Sequence, residues 1–314
     1  MKIAVMGAGA MGEMVGGRLA KAGNQVWLVD VWKDHVEKMQ RDGLLLETSE
    51  GVQTLPVSAT TRAMDVRDQG GYMDLVIIFV KGLYTEQAIQ DAKVFIHDDT
   101  YVLTVQNGVG NADILAKYVP PERVLMGTTL AAAILLGPGH VRDSTAGSPF
   151  TQIMPLHGEI TPDVQRIVET LQGAGLEAEA TPEAETAIWK KLVVNCCTCG
   201  IGTITRLSCG QVCEEPDGAA LVSEVIREVC AVANAKGLHL DYKENLEHFF
   251  AVYRSSTHYA SMVQDAKKKA QTEVETITGA VVREGKRLGV PTPVNTTIYH
   301  LIRMISSHYN DQMY

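Results

Sequence analysis

The sequence predicts two domains: an α/β domain with a doubly wound parallel sheet over residues 1–180, and an all-α domain over residues 181–314. In the first part, short apolar segments typical of strands alternate with segments of helical spacing. One strand segment, DLVIIFV (74–80), is apolar on both faces after its first residue, as expected for a parallel strand covered by helices on each side. Beyond residue 180 the strand patterns stop and helical patterns follow.

The α/β part opens with a strand, a helix and a second strand. The run KIAVMG (2–7) predicts a strand that ends in glycine, and the helix after it stops at Gly23. GLLLETSEGVQTLPV (43–57) predicts two strands joined by a turn at residues 49–51. The remaining strand segments are NQVWLVD (24–30), YVLTVQNGVG (101–110) and VLMGTT (124–129).

The pattern changes after residue 130. Two further segments, residues 131–145 and 150–156, predict strands that extend the sheet, with antiparallel pairing as one option. A helix near residues 161–173 and a strand near residues 174–180 then complete the first domain.

The second domain reads as a series of helices separated by glycine and proline signals. Gly237 and Gly289 lie where helices end, and GVPTPVN (289–295) separates the last two. The predicted helices cover residues 185–206, 217–236, 242–254, 263–288 and 294–308.

Composition argues against several classes of partner. A formal charge of −9 gives the 314-residue chain no counterion-release advantage on nucleic acid, so we expect no such partner. The longest apolar run, LAAAILLG (130–137), is far shorter than the roughly 20 residues of a membrane span. The basic run Lys267, Lys268 and Lys269 is typical of a solvated helix face.

The N-terminal residues and the cysteines predict a cytoplasmic protein. MKIAVMGAGAMG contains glycines where the core of a signal peptide would stay apolar. In the cytoplasm the six cysteines should be reduced thiols, and small buried side chains account for them. No histidine lies at finger-like spacing from them, so we predict no metal site.

A glycine-rich loop follows the first strand directly. Gly7, Gly9 and Gly12 form G-x-G-x-x-G between this strand and the opening of the first helix, and Ala10 and Met11 complete the loop. The first glycine permits a tight turn, the second lets a pyrophosphate approach the backbone, and the third allows close packing of helix and strand. Amides at the helix N-terminus would then bind the phosphates. The placement predicts a Rossmann-type dinucleotide-binding domain.

Asp30 ends the second strand, 18 residues after Gly12. An acid at this distance binds the ribose hydroxyls of NAD, and its charge would repel the 2′-phosphate of NADP. Lys33 lies one turn further on and would soften that repulsion. We therefore predict NAD(H) as the favoured cofactor over NADP(H), with a solvated strand-end carboxylate as the alternative.

A polar stripe lies within the apolar helix that contains WKKLVVNCCTCG (189–200). Lys191, Asn195 and Cys199 follow at i, i+4 and i+8 and so share one helix face. A buried ammonium has a lowered pKa and can donate a proton near neutral pH. The neighbouring Lys190 points elsewhere and should be solvated. The alternative is that Lys191 extends to the surface and Asn195 has a structural role.

Two residues in or just before the predicted helix 263–288 could act with this stripe. Glu273 lies at the edge of an apolar stripe, one turn before Ile277, and would be partly buried beside the lysine. Ser261 precedes the helix, where a serine serves either as an N-cap or as a ligand for a substrate carboxylate.

Together these segments resemble the ketopantoate reductase family over nearly the whole chain. The motifs that carry the resemblance are GAGAMG (7–12), VKGLYT (80–85), QNGVGN (106–111), WKKLVVN (189–195), SMVQD (261–265), TEVETITG (272–279) and GVPTPVN (289–295).

The resemblance implies roles for individual residues. Lys191 matches the family's general acid, and Glu273 matches the acid that holds this lysine and contacts the substrate. Asn195 and Ser261 match substrate-binding positions. The resemblance also implies a Rossmann domain followed by a helical domain, and a homodimer.

Two further matches concern the cofactor. Asn107 matches an asparagine near the nicotinamide, so that it also borders the substrate, and Lys81 matches a lysine near the cofactor.

Two positions depart from the pattern of ketopantoate reductases. Cys199 stands where many members have a second asparagine, and DVWK (30–33) stands where NADPH-dependent members have an arginine. Both departures fit the family's NAD-dependent branch, which is similar to D-mandelate and other D-2-hydroxyacid dehydrogenases. Three functions follow as expectations: reduction of 2-dehydropantoate, NAD-dependent conversion of another 2-keto acid, and non-catalytic sensing of NAD(P).

Overall fold

The computed structural model describes residues 1–145 and 150–311. The chain forms two compact units. The first contains Met1–Gln106 and Asn111–Glu185, and the second contains Asn107–Gly110 and Thr186–Tyr314. The sequence placed the boundary near residue 180, and a short segment that it assigned to the first domain belongs to the second unit.

The first unit is built on an eight-stranded sheet with the order β12-β11-β8-β7-β6-β1-β2-β5. All neighbouring pairs are parallel except β11 and β8. This confirms the α/β fold class and the predicted parallel sheet. The strands are β1 (Lys2–Met6), β2 (Gln25–Val29), β3 (Leu44–Thr48), β4 (Gly51–Leu55), β5 (Ser58–Thr60), β6 (Leu75–Ile78), β7 (Tyr101–Thr104), β8 (Val124–Thr129), β9 (Ala133–Gly137), β10 (His140–Asp143), β11 (Thr151–Pro155) and β12 (Ala178–Ala180).

A second sheet of four strands, β4-β3-β10-β9, accompanies the first. The sequence predicted that residues 131–145 extend the main sheet, and this is wrong. Strand β10 pairs with β3 in parallel, through His140 opposite Leu45, and β9 is antiparallel to β10. Of the two predicted segments, only residues 150–156, which contain β11, extend the main sheet, by antiparallel pairing of β11 with β8. Pairing across long sequence separations depends on packing more than on local strand propensity.

Helices cover the main sheet on both faces. Val5 and Ile77 belong to one buried cluster, whereas their neighbours Ala4 and Val76 belong to another. Successive strand residues point to opposite faces, so the two clusters are the cores on the two sides of the sheet. The helices are α1 (Ala10–Lys21), α2 (Lys33–Asp42), α3 (Ala63–Gly70), α4 (Thr85–Ala92), α5 (Asn111–Leu115) and α6 (Pro162–Gly173).

The second unit is helical, as predicted, around a core that includes the fully buried Trp189. Its α-helices are α7 (Ala184–Asn195), α8 (Gly202–Thr205), α9 (Cys209–Glu214), α10 (Pro216–Ala235), α11 (Tyr242–Tyr253), α12 (Ser261–Lys267), α13 (Thr278–Leu288) and α14 (Pro293–Ser307). None of the helices in the described ranges is long and apolar enough to cross a membrane.

One buried carboxylate joins two of these helices. Glu228 of α10 is 8% exposed and accepts hydrogen bonds of 2.8 Å from the backbone N–H groups of Val294 and Asn295. The side-chain amide of Asn295 donates a further bond of 2.8 Å to the same carboxylate. These amides lie in the first turn of α14, where a negative charge also interacts favourably with the helix dipole.

The predicted continuous helix over residues 263–288 is wrong. Helix α12 ends at Lys267, and α13 begins only at Thr278. Lys269 has a φ of 55°, in the left-handed region, and its N–H bonds to the carbonyl of Ala266, which closes the helix. Threonines and other β-branched residues dominate the following segment, and they have low helix propensity. Glu273 therefore lies in a turn between two helices.

Candidate active site

The glycine loop adopts a conformation that requires its glycines. Gly7 has a φ of +97°, and a Cβ there would lie 2.6 Å from the backbone nitrogen of Val80. A Cβ on Gly12 would lie 1.9 Å from the carbonyl oxygen of Gly7. Gly9 is the exposed N-cap of α1, and no described atom lies within 4 Å of where its Cβ would be. The loop leaves open backbone before the helix, which suits a phosphate group.

Helix α1 begins with the two other predicted loop residues. Ala10 is its first residue and Met11 its second, and both are partly buried. The first amides of an α-helix have no partner within the helix, so this turn can donate to an anion.

Asp30 follows β2 and fixes the loop from the side. Its Oδ2 accepts a hydrogen bond of 2.8 Å from the N–H of Ala8, and its Oδ1 accepts one of 2.9 Å from the N–H of Trp32. Because a carboxylate offers about four lone-pair positions, acceptor capacity remains for further hydroxyl groups. The next residue, Val31, is 94% exposed.

A buried polar group beneath the loop escaped the sequence analysis. Glu13 is fully buried and its Oε1 lies 3.2 Å from Nε2 of His35, which is itself buried. Gly139 donates its N–H to Nδ1 of His35 at 3.0 Å, which leaves Nε2 to carry the proton and donate to the carbonyl of Ala8 at 2.8 Å. The imidazole thus supports the underside of the glycine loop.

Burial keeps the carboxyl of Glu13 neutral at physiological pH. Loss of solvation, helped by the negative charge of Asp30, raises the pKa of Glu13 to about 9. The available sequence signal was an acid at the inner face of the first helix. An acid in a first helical turn is also favoured by the helix dipole, so the position of Glu13 alone does not indicate that it is buried.

The loops after β6 and β7 are tied together at the same edge of the sheet as the glycine loop. The hydroxyl of Thr104 donates to Oε1 of Gln106 at 2.8 Å, and the amide of Gln106 donates to the carbonyl of Val80. Lys81 is half-buried and precedes the short 3-10 turn that begins at Gly82. Lys81 thus lies at the carboxyl edge of the sheet, where open α/β sheets generally bind ligands.

Asn107 begins the short segment that packs with the helical unit. Within this segment the N–H of Val109 donates to the carbonyl of Thr276 at 2.8 Å. Gly108 has a φ of +87°, and a Cβ there would lie 2.1 Å from the same carbonyl oxygen. The segment therefore lies against the turn that carries Glu273, three residues before Thr276.

Lys191 is half-buried in α7, and its pKa departs strongly from the ordinary value. Burial lowers the pKa to about 8 from 10.5, and the negative charge of Glu273 opposes this decrease. Lys190 is exposed and pairs with Glu244 at 3.5 Å, as the spacing predicted for a solvated neighbour. The desolvation of Lys191 argues against the alternative that it extends into bulk water.

The polar stripe continues through an irregular part of the helix. After the half-buried Asn195, the segment Cys196–Ile201 is π-helical, which changes the register of the face that follows. π-Helical insertions occur frequently at functional sites. Cys199 is 3% exposed, its Sγ lies 3.8 Å from Oγ of Ser261, and burial raises the pKa of its thiol.

Ser261 is the first residue of α12, and Ala260 is its N-cap. The N-cap role considered for the serine is therefore wrong. The structure brings Lys191, Glu273, Cys199 and Ser261 into one group, linked by the charge interactions of the lysine and the contact of the thiol. Asn195 lies on the same helix one turn after the lysine.

The cysteines form no alternative centre in the described ranges. All six are buried and free. Residues 1–145 and 150–311 contain no group of three or more His, Cys, Asp or Glu side chains arranged to hold a metal ion.

Comparisons with known proteins agree on the relationship of this chain. The N-terminal model of the family described as ketopantoate reductase PanE/ApbA matches residues 3–154, and its C-terminal model matches residues 183–306. A 2-dehydropantoate 2-reductase of Streptococcus pyogenes serotype M6 is 31% identical, over 99% of this chain and 100% of its own. The enzyme of the same name from Halobacterium salinarum is 33% identical, over 97% and 98% of the two chains.

Solved structures show the same fold. A ternary structure of D-mandelate dehydrogenase with NADH and anilino(oxo)acetate has a TM-score of 0.90 at 31% identity, over 99% of this chain and 100% of the other. A ketopantoate reductase of the PanE/ApbA family from Ralstonia eutropha JMP134 has a TM-score of 0.87 at 32% identity, over 98% and 99%.

The fold and the glycine loop define a dinucleotide-binding α/β protein with a helical C-terminal part. Both parts match the two models of one family, and full-length relatives are more than 30% identical. The chain belongs to the ketopantoate reductase family.

Proposed function

We propose that the protein is an oxidoreductase that transfers hydride between a nicotinamide dinucleotide and the C2 carbonyl of a 2-keto acid. The observation that carries the proposal is the half-buried Lys191, whose pKa near 8 suits a proton donor, in a chain with a dinucleotide-binding glycine loop. Its curated relatives are named 2-dehydropantoate 2-reductases, so 2-dehydropantoate is the first candidate substrate.

Lys191 and Glu273 form the proposed catalytic pair. The bound cofactor supplies or accepts the hydride. Lys191 donates a proton to the alkoxide that develops at C2 and takes it back in the reverse reaction. The negative charge of Glu273 raises the pKa of Lys191 and so partly offsets the effect of burial. In the proposed mechanism Glu273 also orients the ammonium and accepts a hydrogen bond from a substrate hydroxyl.

Three neighbours of the pair form the proposed substrate site. The hydroxyl of Ser261 and the amide of Asn195 bind polar groups of the substrate. Cys199 contacts Ser261 at 3.8 Å and presents a neutral thiol, which is a weak hydrogen-bond donor. A substrate group that lies against the thiol would therefore be apolar.

The proposed cofactor site combines the glycine loop with three side chains. The open backbone at Gly9 fits a pyrophosphate, and Asp30 has acceptor capacity left for the ribose hydroxyls. By the resemblance to the family, Lys81 and Asn107 are each assigned to contacts with the cofactor near its nicotinamide end.

NAD(H) is the proposed cofactor in preference to NADP(H). The Asp30 carboxylate is held by two backbone amides and would repel a 2′-phosphate. Lys33, which could have offset this charge, lies 3.5 Å from Glu37 in an exposed ion pair. Part of the charge of Lys33 is thus offset by Glu37, which reduces its ability to compensate a 2′-phosphate.

A second function is favoured by two observations. The D-mandelate dehydrogenase structure, with NADH and anilino(oxo)acetate, shares the fold at a TM-score of 0.90. Cys199 presents a weak donor beside Ser261, which fits a bulky apolar side chain better than a hydroxyl-bearing one. The alternative is thus an NAD-dependent D-2-hydroxyacid dehydrogenase with an aromatic or branched substrate. Non-catalytic sensing of NAD(P) is the third possibility.

One assay separates these functions. Absorbance at 340 nm is followed with 2-dehydropantoate and with phenylglyoxylate, each with NADH and with NADPH. Faster oxidation of NADH than of NADPH supports the assignment of Asp30. A higher kcat/KM for phenylglyoxylate selects the dehydrogenase, and a higher value for 2-dehydropantoate selects the reductase. Absence of oxidation in all four combinations, with cofactor binding intact, would refute the enzymatic proposal and leave the sensor.

The homodimer, the cytoplasmic location and a place in pantothenate biosynthesis are part of the same proposal. The homodimer and the biosynthetic role are inferred from the resemblance to the family, and the cytoplasmic location from the N-terminal residues and the cysteines. Light scattering of the purified chain tests the homodimer.

A further inference from the structure

The helical unit contains a cavity of about 680 Å³ that the proposed function leaves unused. It lies between the end of the α7–α8 helical run and α12. Lys191, Asn195, Cys199, Ser261 and Glu273 are all absent from the described residues that line it. Its volume is in the range of sites for small organic ligands.

The lining of the cavity is cationic. Arg206, Lys267 and Lys269 line it together with His258, and none of the described lining residues is acidic. The chain as a whole carries a formal charge of −9, so the positive charge of this concave site is opposite in sign to the net charge of the protein. A concave cationic surface concentrates anions.

The cavity distinguishes among the three lysines at 267–269, which the sequence analysis assigned to a solvated helix face. Lys267 and Lys269 line it, whereas Lys268 between them does not. The ammonium of Lys269 lies 3.4 Å from Oδ1 of Asn310, which is a neutral acceptor. Lys268 therefore provides a matched internal control.

A buried hydroxyl group in the lining has no partner. Thr203 is 2% exposed, and its Oγ1 has no hydrogen bond within the described part of the chain. Buried polar groups in native proteins are nearly always bonded to protein, water or ligand. Thr203 lines the cavity, so rotation of its buried hydroxyl toward a ligand oxygen would complete its hydrogen bonding.

The backbone around the cavity is strained. Arg206 has a φ of 61° and Lys269 a φ of 55°. The described chain has only three non-glycine residues with positive φ, and two of them line this cavity. Both residues lie at the C-terminal ends of helices, where a left-handed residue closes the helix.

We propose that this cavity is a second ligand site, for a small organic anion with phosphate or carboxylate groups. The cationic side chains bind the anionic groups, and Thr203 donates to one of their oxygens. Tyr259 and Val263 offer an aromatic and an aliphatic surface for the rest of the ligand. The site is separate from the proposed catalytic group, although α12 carries Ser261 at its first residue and Lys267 at its last.

Calorimetric titration of the full chain tests the proposal, with inorganic phosphate and citrate as probes. We expect both or one of them to bind, and the two arms show whether phosphate or carboxylate is preferred. The double variant R206Q/K267Q should weaken binding by about tenfold or more, since two charge-assisted contacts are lost. T203V should weaken it by about threefold to tenfold. K268Q should leave it within about twofold.

Three results would overturn the proposal. One is absence of binding by either probe at 10 mM. Another is equal binding by R206Q/K267Q and the unchanged protein, which would locate the anion elsewhere. The third is competition between the probe and a 2-keto acid substrate, which would assign the cavity to the catalytic pocket. Circular dichroism of each variant shows that it is folded, and T203V preserves the charge and shape of the site. The titration does not depend on enzymatic activity.

Discussion

The depressed pKa of Lys191 gives the sharpest test of the proposed chemistry. A decrease from 10.5 to about 8 corresponds to about 3 kcal/mol of unfavourable free energy for the charged side chain at its site. The proton donor must be charged, so reduction of the 2-keto acid should slow as pH rises through about 8. A lysine of ordinary pKa would show this decrease only above pH 10.

The assay is kcat/KM for the preferred 2-keto acid between pH 6 and 10. Lys191→Ala should lower kcat by about 10²–10⁴, the usual contribution of general acid catalysis, and should remove the decrease near pH 8. Lys190→Ala is the matched control, because this neighbour is exposed and forms only a surface ion pair with Glu244. Its profile should match that of the unchanged protein.

Either of two results would refute this role of Lys191. One is a kcat of Lys191→Ala within about threefold of the unchanged protein, which is far below the contribution expected of a proton donor. The other is a decrease near pH 8 that persists in the variant, because it would then report another group.

Three further predictions concern carboxyl groups that are partly or fully buried. Glu273→Gln removes the charge that raises the pKa of Lys191, so the midpoint of the pH–rate profile should shift below 8; an unchanged midpoint would contradict the pairing. Glu13 holds its proton in the folded state up to about pH 9 but loses it above pH 4.5 when unfolded, so stability should fall between these values. In urea titrations, Glu13→Gln should remove up to about 5 kcal/mol of the decrease in unfolding free energy between pH 4.5 and pH 8. If the unfolding free energy of the variant falls with pH as steeply as that of the unchanged protein, Glu13 is ionised in the folded state. Glu228→Gln should cost about 1–3 kcal/mol of unfolding free energy, whereas the exposed control Glu224→Gln should stay within about 0.5 kcal/mol.

Local signals were sufficient for the fold class and for the glycine loop. Turn, strand end and helix start are consecutive in the chain, so Gly7, Gly9 and Gly12 could be assigned from spacing alone. The i, i+4 stripe of Lys191 and Asn195 was visible for the same reason. The roles of all five residues stay predictions until they are tested by substitution.

Tertiary contacts decided what the sequence could not show. The helix that was predicted around Glu273 is interrupted, because Lys269 adopts a left-handed conformation. A lysine in the sequence gives no indication of this conformation. The π-helical segment Cys196–Ile201 has no signature distinct from an α-helix. Strand β10 pairs with β3 across about a hundred residues of sequence, and no local pattern specifies that pairing.

Lys191 and Glu13 illustrate two uses of a buried ionisable group. Burial lowers the pKa of one and raises that of the other, so both are driven toward their neutral forms. Glu13 is fully enclosed with His35 beneath the loop and has no described route to a substrate. Lys191 is only half-buried and is kept partly charged by Glu273, which would be unnecessary for packing. A methionine at this position would avoid the cost of about 3 kcal/mol, and the proposed proton transfer would account for a lysine there.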